Sequence, residues 1–303
     1  MPIVLQETQR ALFYAPFYVA LTRDAYRSAG VDVEFKRAGA PADAVRGVLA
    51  GEVHVAWGGP MRLMVDHDRN GGLDLVCFCE AVTRDPFLLV GARPRGDFRL
   101  SDLRDARIGA VREVPTPWQC LQEDLRRDGV NPADLTVSFD RDISDNVAAL
   151  REGALDVIQT LEPFAEELVE TNSGHIWHAA ALRGHTSYTS LYTRRSFLAG
   201  NRDALLAMTR AVFATQGWLH RSPPEEIADA ITPYFASVPQ PRLVRAIARY
   251  KGLGIWGADP RLPRSGYERL QGALISGGLI RTKLRFESAV DNSLADEAIA
   301  GNV

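Results

Sequence analysis

The hydrophobic and polar positions of the first sixty residues switch twice between a strand period and a helix period. Ile3-Val4-Leu5 reads as a short strand that stops at a polar loop. From Phe13 the chain turns apolar, and Pro16 suits the first turn of a helix whose buried face would carry Phe17, Ala20, Leu21 and Ala25. Gly30 is the expected helix stop, and residues 31–35 alternate as a half-buried strand does. The second unit repeats the order: a helix from Ala42 closed by Gly51, a strand ending at Trp57, then Gly58-Gly59-Pro60 opening a helix at Met61. Glycines at such a junction let backbone N–H groups approach a ligand, and the helix N-terminus behind them favours negative charge.

After a strand at 75–79, residues 80–86 lead into the apolar strand 87–91, which predicts passage into a second lobe. There, strands at 107–110, 135–139 and 155–159 alternate with helices at 118–127, 145–151 and 163–170, the second of them capped by Ser144-Asp145-Asn146. A strand at 186–192 returns, and helices at 202–220, 224–234, 242–250 and 266–276 pack back on the first lobe. The chain of 303 residues is long enough for two cores. The expectation is an α/β fold of two lobes, residues 1–84 with 188–303 and residues 85–187. Loops at the strand C-terminal ends would line the cleft between them.

Charge removes several partners from consideration. The net charge is −3 and the pI near 6.1, with both signs interspersed, so no basic stripe points to nucleic acid or an anionic membrane. No stretch approaches transmembrane length. The strand follows Met1-Pro2 directly, with no secretory leader pattern, which predicts a cytoplasmic protein; were Met1 an addition to a mature sequence, a periplasmic one is expected. Cys77 and Cys79 sit two apart on one strand and should share a core face, a metal pair being the lesser alternative because Cys120 and a histidine would have to join them. Neither metal nor cofactor is expected.

The order of these pieces carries a resemblance. The aromatic-Pro helix start, Gly30-Val31-Asp32-Val33, Gly51-Glu52-Val53-His54-Val55, Arg84-Asp85-Pro86-Phe87 and Leu100-Ser101-Asp102-Leu103-Arg104 before Arg107-Ile108-Gly109 together resemble the periplasmic-binding-protein-like (type II) family. Within it the chain looks closest to solute receptors for sulfonates, taurine and thiamine pyrimidines, and to the fungal-type thiamine pyrimidine synthases. The resemblance spans Ile3 to about Ser276. It implies a two-lobe closing receptor with C-terminal helices, a small-molecule ligand and, for transporter members, delivery to an ABC permease.

Candidate ligand residues lie on the predicted cleft loops. Gly58 and Gly59 with Arg62 form one such loop, whose bland alternative is an ordinary tight turn. Phe13 and Tyr14 could stack on a planar ligand or belong to the core, and Trp57 reads as core. The loop from Arg112 through Thr116 to Trp118 opens a helix, and the resemblance implies that it holds the ligand's polar end. Arg112 could clamp a sulfonate, carboxylate or phosphate, or be a solvated surface group; Thr116 could contact ligand or merely cap. Glu162 could accept from a ligand amine, or simply suit a helix start. Arg84, His185 and Tyr188, at the crossings, complete the set, although a lone histidine is more often structural.

The synthases to which the chain is similar carry a Schiff-base lysine in the loop matching residues 57–62 and a cysteine-rich run before the return strand. Here the loop has no lysine, and Gly184-His185-Thr186-Ser187 replaces the cysteines. The reading is therefore a solute-binding protein of ABC-transporter type for a small polar or heterocyclic metabolite, sulfonate-like or thiamine-pyrimidine-like, rather than an enzyme. The alternative is a cytoplasmic enzyme or accessory protein of thiamine-pyrimidine-type biosynthesis on the same scaffold. A regulator's sensing domain is disfavoured because no DNA-binding helical segment precedes Ile3.

Overall fold

In the computed structural model, which describes residues 2–37, 39, 43–72 and 74–301, the strand-and-helix alternation builds two five-stranded sheets. The chain begins β1 (Ile3–Gln6), α1 (Ala15–Thr22), α2 (Ala25–Ser28), β2 (Val33–Lys36), α3 (Asp43–Ala50), β3 (Val55–Gly58), α4 (Met61–Asn70) and β4 (Leu75–Val82). It continues β5 (Leu88–Gly91), β6 (Arg107–Gly109), α5 (Thr116–Arg127), β7 (Thr136–Ser138), α6 (Ile143–Arg151), β8 (Val157–Thr160), α7 (Phe164–Glu170) and β9 (His175–Ala179). After β10 (Thr189–Arg194) come α8 (Arg195–Gly200), α9 (Arg202–Arg221), α10 (Pro224–Ile231), α11 (Gln240–Gly252), α12 (Arg264–Ser276), α13 (Phe286–Ala289) and α14 (Ser293–Ala300).

The first sheet has the order β2-β1-β3-β10-β4 and the second β7-β6-β8-β5-β9. In each, parallel pairs around β1 or β6 adjoin one antiparallel strand, β10 or β5, that arrives from the other sheet. The chain thus passes between sheets after Val82 and again after Ala179. Both faces of each sheet are covered, as near-continuous apolar strands require. Leu5, Trp57 and Leu191 pack with residues of α1, α9, α10 and α11, while Ala56, Cys77 and Tyr192 pack with residues of α3, α4 and α12. In the second sheet Val90 and Ile158 face α6 and α7, and Ile108 and Val157 face α5.

Local chemistry changes several expectations. The helix expected to run on to Ala25 breaks at Asp24, which adopts φ 51; the short polar side chain of Asp tolerates the left-handed region. The cap of α6 is Asp142, whose side chain accepts from Asp145 N at 2.8 Å, so the helix starts before the expected trio. Cys77 and Cys79 do not share a face. A register shift pairs Leu191 with Cys79 and its neighbour Tyr192 with Cys77, and this bulge sends the two thiols into different cores. Ala42, the expected first residue of α3, lies outside the described residues. Among the described residues no helix is long and apolar enough to cross a membrane.

Candidate functional site

Loops after β1, β3 and β6 converge between the sheets, at the C-terminal ends of parallel strands. Phe13 and Tyr14 come from the first, Gly59, Met61 and Arg62 from the second, Val114 and Thr116 from the third. Phe87, Ser187 and Tyr188 reach the same cavity from the two crossings, and Gln9 and Leu270 complete its wall. The free volume is about 30 Å³, which holds roughly one or two waters. A larger cavity of about 610 Å³ lies beside the crossings and is lined by Arg84, His185 and residues of the first-sheet side. The smaller one is the candidate site because both lobes contribute to it.

Its wall is aromatic with one cation. The Phe13 and Tyr14 rings lie 4.3 Å apart, and Tyr188 meets Phe13 edge-on at 5.7 Å. Burial pushes the Tyr14 phenol up to about 12, although the nearby Arg62 charge and the Thr8 and Thr189 hydroxyls pull the other way, so the hydroxyl stays a neutral donor. Tyr188 is likewise raised by burial. Arg62 is half-buried in the first turn of α4, beside the Tyr14 and Tyr192 hydroxyls. Among the described residues it has neither a carboxylate nor a hydrogen-bond acceptor. Among the described residues no acidic side chain lines the cavity. Helices α4 and α5 both begin at this wall, adding the partial positive charge of two N-termini. Thr116 is the first residue of α5; Pro115 occupies the cap position, so the nearly buried hydroxyl makes no capping bond.

The glycines do a further job beside the one expected. A Cβ at Gly58 would come within 3.0 Å of Thr8 Oγ1, and one at Gly59 within 3.0 Å of the Tyr188 carbonyl. Their missing side chains admit the protein's own chain, and Gly59 also lines the cavity. Gly58 itself lies within β3, behind the cavity wall. Trp57 is core, stacked between Phe17 and Phe35 at 4.8 and 5.5 Å.

Five expected residues lie elsewhere. Arg112 is exposed and donates to the Asp140 carbonyl at 3.3 Å, because the loop turns its long side chain outward. Trp118 points along α5 to an edge contact with Phe139 at 5.4 Å. Glu162 is wholly buried, its Oε1 held by Arg249 and its Oε2 by Glu166 N at 2.9 Å, which leaves neither oxygen to a ligand amine. Arg84 donates to the Leu253 carbonyl at 3.4 Å, and His185 Nδ1 meets Thr83 Oγ1 at 2.9 Å; both face the cavity beside the crossings. Conversely, the sequence reading did not single out Gln9, Met61, Phe87, Val114 or Leu270, while Ser187 was expected beside His185 and Tyr188 at the return crossing. Val114 sat inside a segment already under suspicion, whereas nothing local marks Leu270, which arrives from α12.

Comparison with known proteins places this geometry. YtlA of Bacillus subtilis (strain 168), whose name puts it among binding proteins and specifies no ligand, is 22% identical over 297 residues, 97% of this chain and 89% of its own. The periplasmic aliphatic sulphonate binding protein SsuA from Escherichia coli has the same fold, with a TM-score of 0.78 at 14% identity over 96% of this chain and 92% of that one. So does the periplasmic nitrate-binding protein NrtA from Synechocystis PCC 6803, with a TM-score of 0.70 at 15% identity over 99% and 88%. The NMT1/THI5-like family model matches residues 13–226, well over half of the sequence, and the chain belongs to that family.

Proposed function

We propose that this protein is a solute-binding receptor of ABC-transporter type whose interlobe cavity takes a small organic anion, with a sulfonate as the best-supported class. The observation that carries the reading is Arg62, a half-buried guanidinium without a carboxylate partner among the described residues, in a cavity with no acidic wall and two helix N-termini. The aromatic pair Phe13 and Tyr14 suits the ligand's apolar portion. An aminopyrimidine would call for an acidic acceptor, and Glu162 is already committed to Arg249. On this reading, residues 85–187 close against 1–84 with 188–303 about the two crossings, and an ABC permease receives the ligand from a protein working outside the cytoplasm.

The test is native mass spectrometry of freshly purified protein for a retained ligand, followed by calorimetry with alkanesulfonates, carboxylates and an aminopyrimidine. Arg62→Met should weaken sulfonate binding by about 10- to 100-fold, the range of a lost charge-assisted hydrogen bond. Its melting temperature should stay close to the parent's, since among the described residues Arg62 has no carboxylate or hydrogen-bond acceptor to lose. Unchanged affinity in the variant, or binding of the pyrimidine alone, refutes the reading.

A further inference from the structure

Glu80 is a buried charge-bearing group with a carboxyl oxygen that has no hydrogen-bond partner among the described residues. It sits on β4 opposite Ser190 of β10, 1% exposed, and that oxygen is Oε1. The Ser187 and Thr83 hydroxyls lie beside it, close enough to favour its ionised form somewhat, yet Glu80 Oε1 and Ser187 Oγ both lack a partner at hydrogen-bonding geometry. Ser187 is fully buried and lines the interlobe cavity, with Gly266 at its back, where a Cβ would come 3.0 Å from Ser187 Oγ. Two orphaned polar groups therefore stand side by side, Glu80 on the wall of the larger cavity beside the crossings and Ser187 at the ligand wall.

An unpaired buried carboxylate costs several kcal/mol, so the group stays protonated, and burial pushes it up to about 8. A carboxylic acid has one proton to donate. We propose, on the footing of the anion reading above, that Glu80 sets the polarity of the ligand site: as a neutral acid it donates to Ser187 Oγ, which leaves the Ser187 O–H free to donate to an anion in the cavity. Ionised, Glu80 would accept a hydrogen bond from the Ser187 O–H, which would turn an Oγ lone pair toward the ligand instead. Glu80 is thus a positioning residue that acts through Ser187. The groups facing it are Asp259, which disfavours its charge, the Cys77 and Cys79 thiols on its own strand, and His185, Arg84, His220 and Arg261 around the cavity beside the crossings.

The experiment is calorimetry of the full chain with methanesulfonate, whose own charge is constant, from pH 6.5 to 9. Parent affinity should hold to about pH 7.5 and fall toward tenfold weaker by pH 9, as the acceptor form displaces the donor form. Glu80→Gln keeps an N–H donor and should bind like the parent at pH 7 with a flat profile; Ser187→Ala should bind more weakly and also be flat. Infrared spectra of the free parent should carry a protonated-carboxyl band that fades as pH rises through 8 and is missing from Glu80→Gln. A flat parent profile, a Glu80→Gln variant that keeps the slope or loses binding at pH 7, or the lack of that band overturns the inference alone. Failure of methanesulfonate to bind the parent at any pH overturns the anion reading, and this inference with it.

Discussion

Replacing Arg249 with methionine should expose how strongly the two lobes are tied on one flank. Helix α7 presents Glu166, Glu167 and Glu170, with Glu162 just before it, to Arg242, Arg245 and Arg249 of α11. Arg249 reaches Glu162 Oε1 and, at 2.6 Å, Glu166 Oε2, while the Tyr250 hydroxyl accepts from Glu162 N at 2.9 Å. The Glu162 side chain is 0% exposed, and among the described residues no other cation reaches it. Removing one partner of a buried pair costs about 3–5 kcal/mol because the remaining charge is stranded. Burial already holds Glu162 above the ordinary carboxylate range despite Arg249, and without Arg249 it should rise further. The folded variant then keeps a proton that the unfolded chain loses, so its stability grows as pH falls toward the unfolded value, by up to about 1.4 kcal/mol per pH unit. Urea unfolding followed by tryptophan fluorescence at pH 7.5 and 5.5 should show a deficit of that size that shrinks at the lower pH. Adding Glu162→Gln should recover much of it. A deficit under about 1 kcal/mol at pH 7.5, or one equal at both pH values, refutes the reasoning.

Two further outcomes follow from particular contacts. Gly59→Val should lower the melting temperature as well as sulfonate affinity, since its side chain would strike the Tyr188 carbonyl, a backbone atom with little room to move; calorimetric scanning that finds the parent's melting temperature would contradict this. Pyridoxal phosphate should give no borohydride-fixable imine in the cavity, because Lys251 Nζ donates to the Leu219 carbonyl at 3.1 Å, Lys36 sits on the surface beside Glu34, and Lys283 is exposed and lines a different cavity. Recovery by peptide mapping of a pyridoxyl-lysine that a Lys→Ala change abolishes would favour the enzymatic alternative.

Periodicity and punctuation suffice for the two-lobe α/β architecture, because each helix or strand declares itself over a few neighbouring residues. Gly30 and Gly51 do take the positive φ that ends their helices, and β4, apolar but for Glu80, is buried throughout. The same local grammar misses β9, a half-exposed edge strand whose partner β5 lies some 85 residues earlier. It also misreads Cys77 and Cys79, because a bulge is decided by the register against β10 and not by the strand itself. At the site, Phe13, Tyr14, Arg62, Thr116 and Tyr188 were legible as residues flanking strand ends. Whether each was free for a ligand was not, since that depends on partners remote in sequence: Arg249 occupies Glu162 from 87 positions away, and the Tyr188 carbonyl fills the space beside Gly59. Local sequence sets which chemistry stands near the cleft; tertiary packing decides which of those groups it has already satisfied, because a buried polar group must find its partner wherever the fold supplies one.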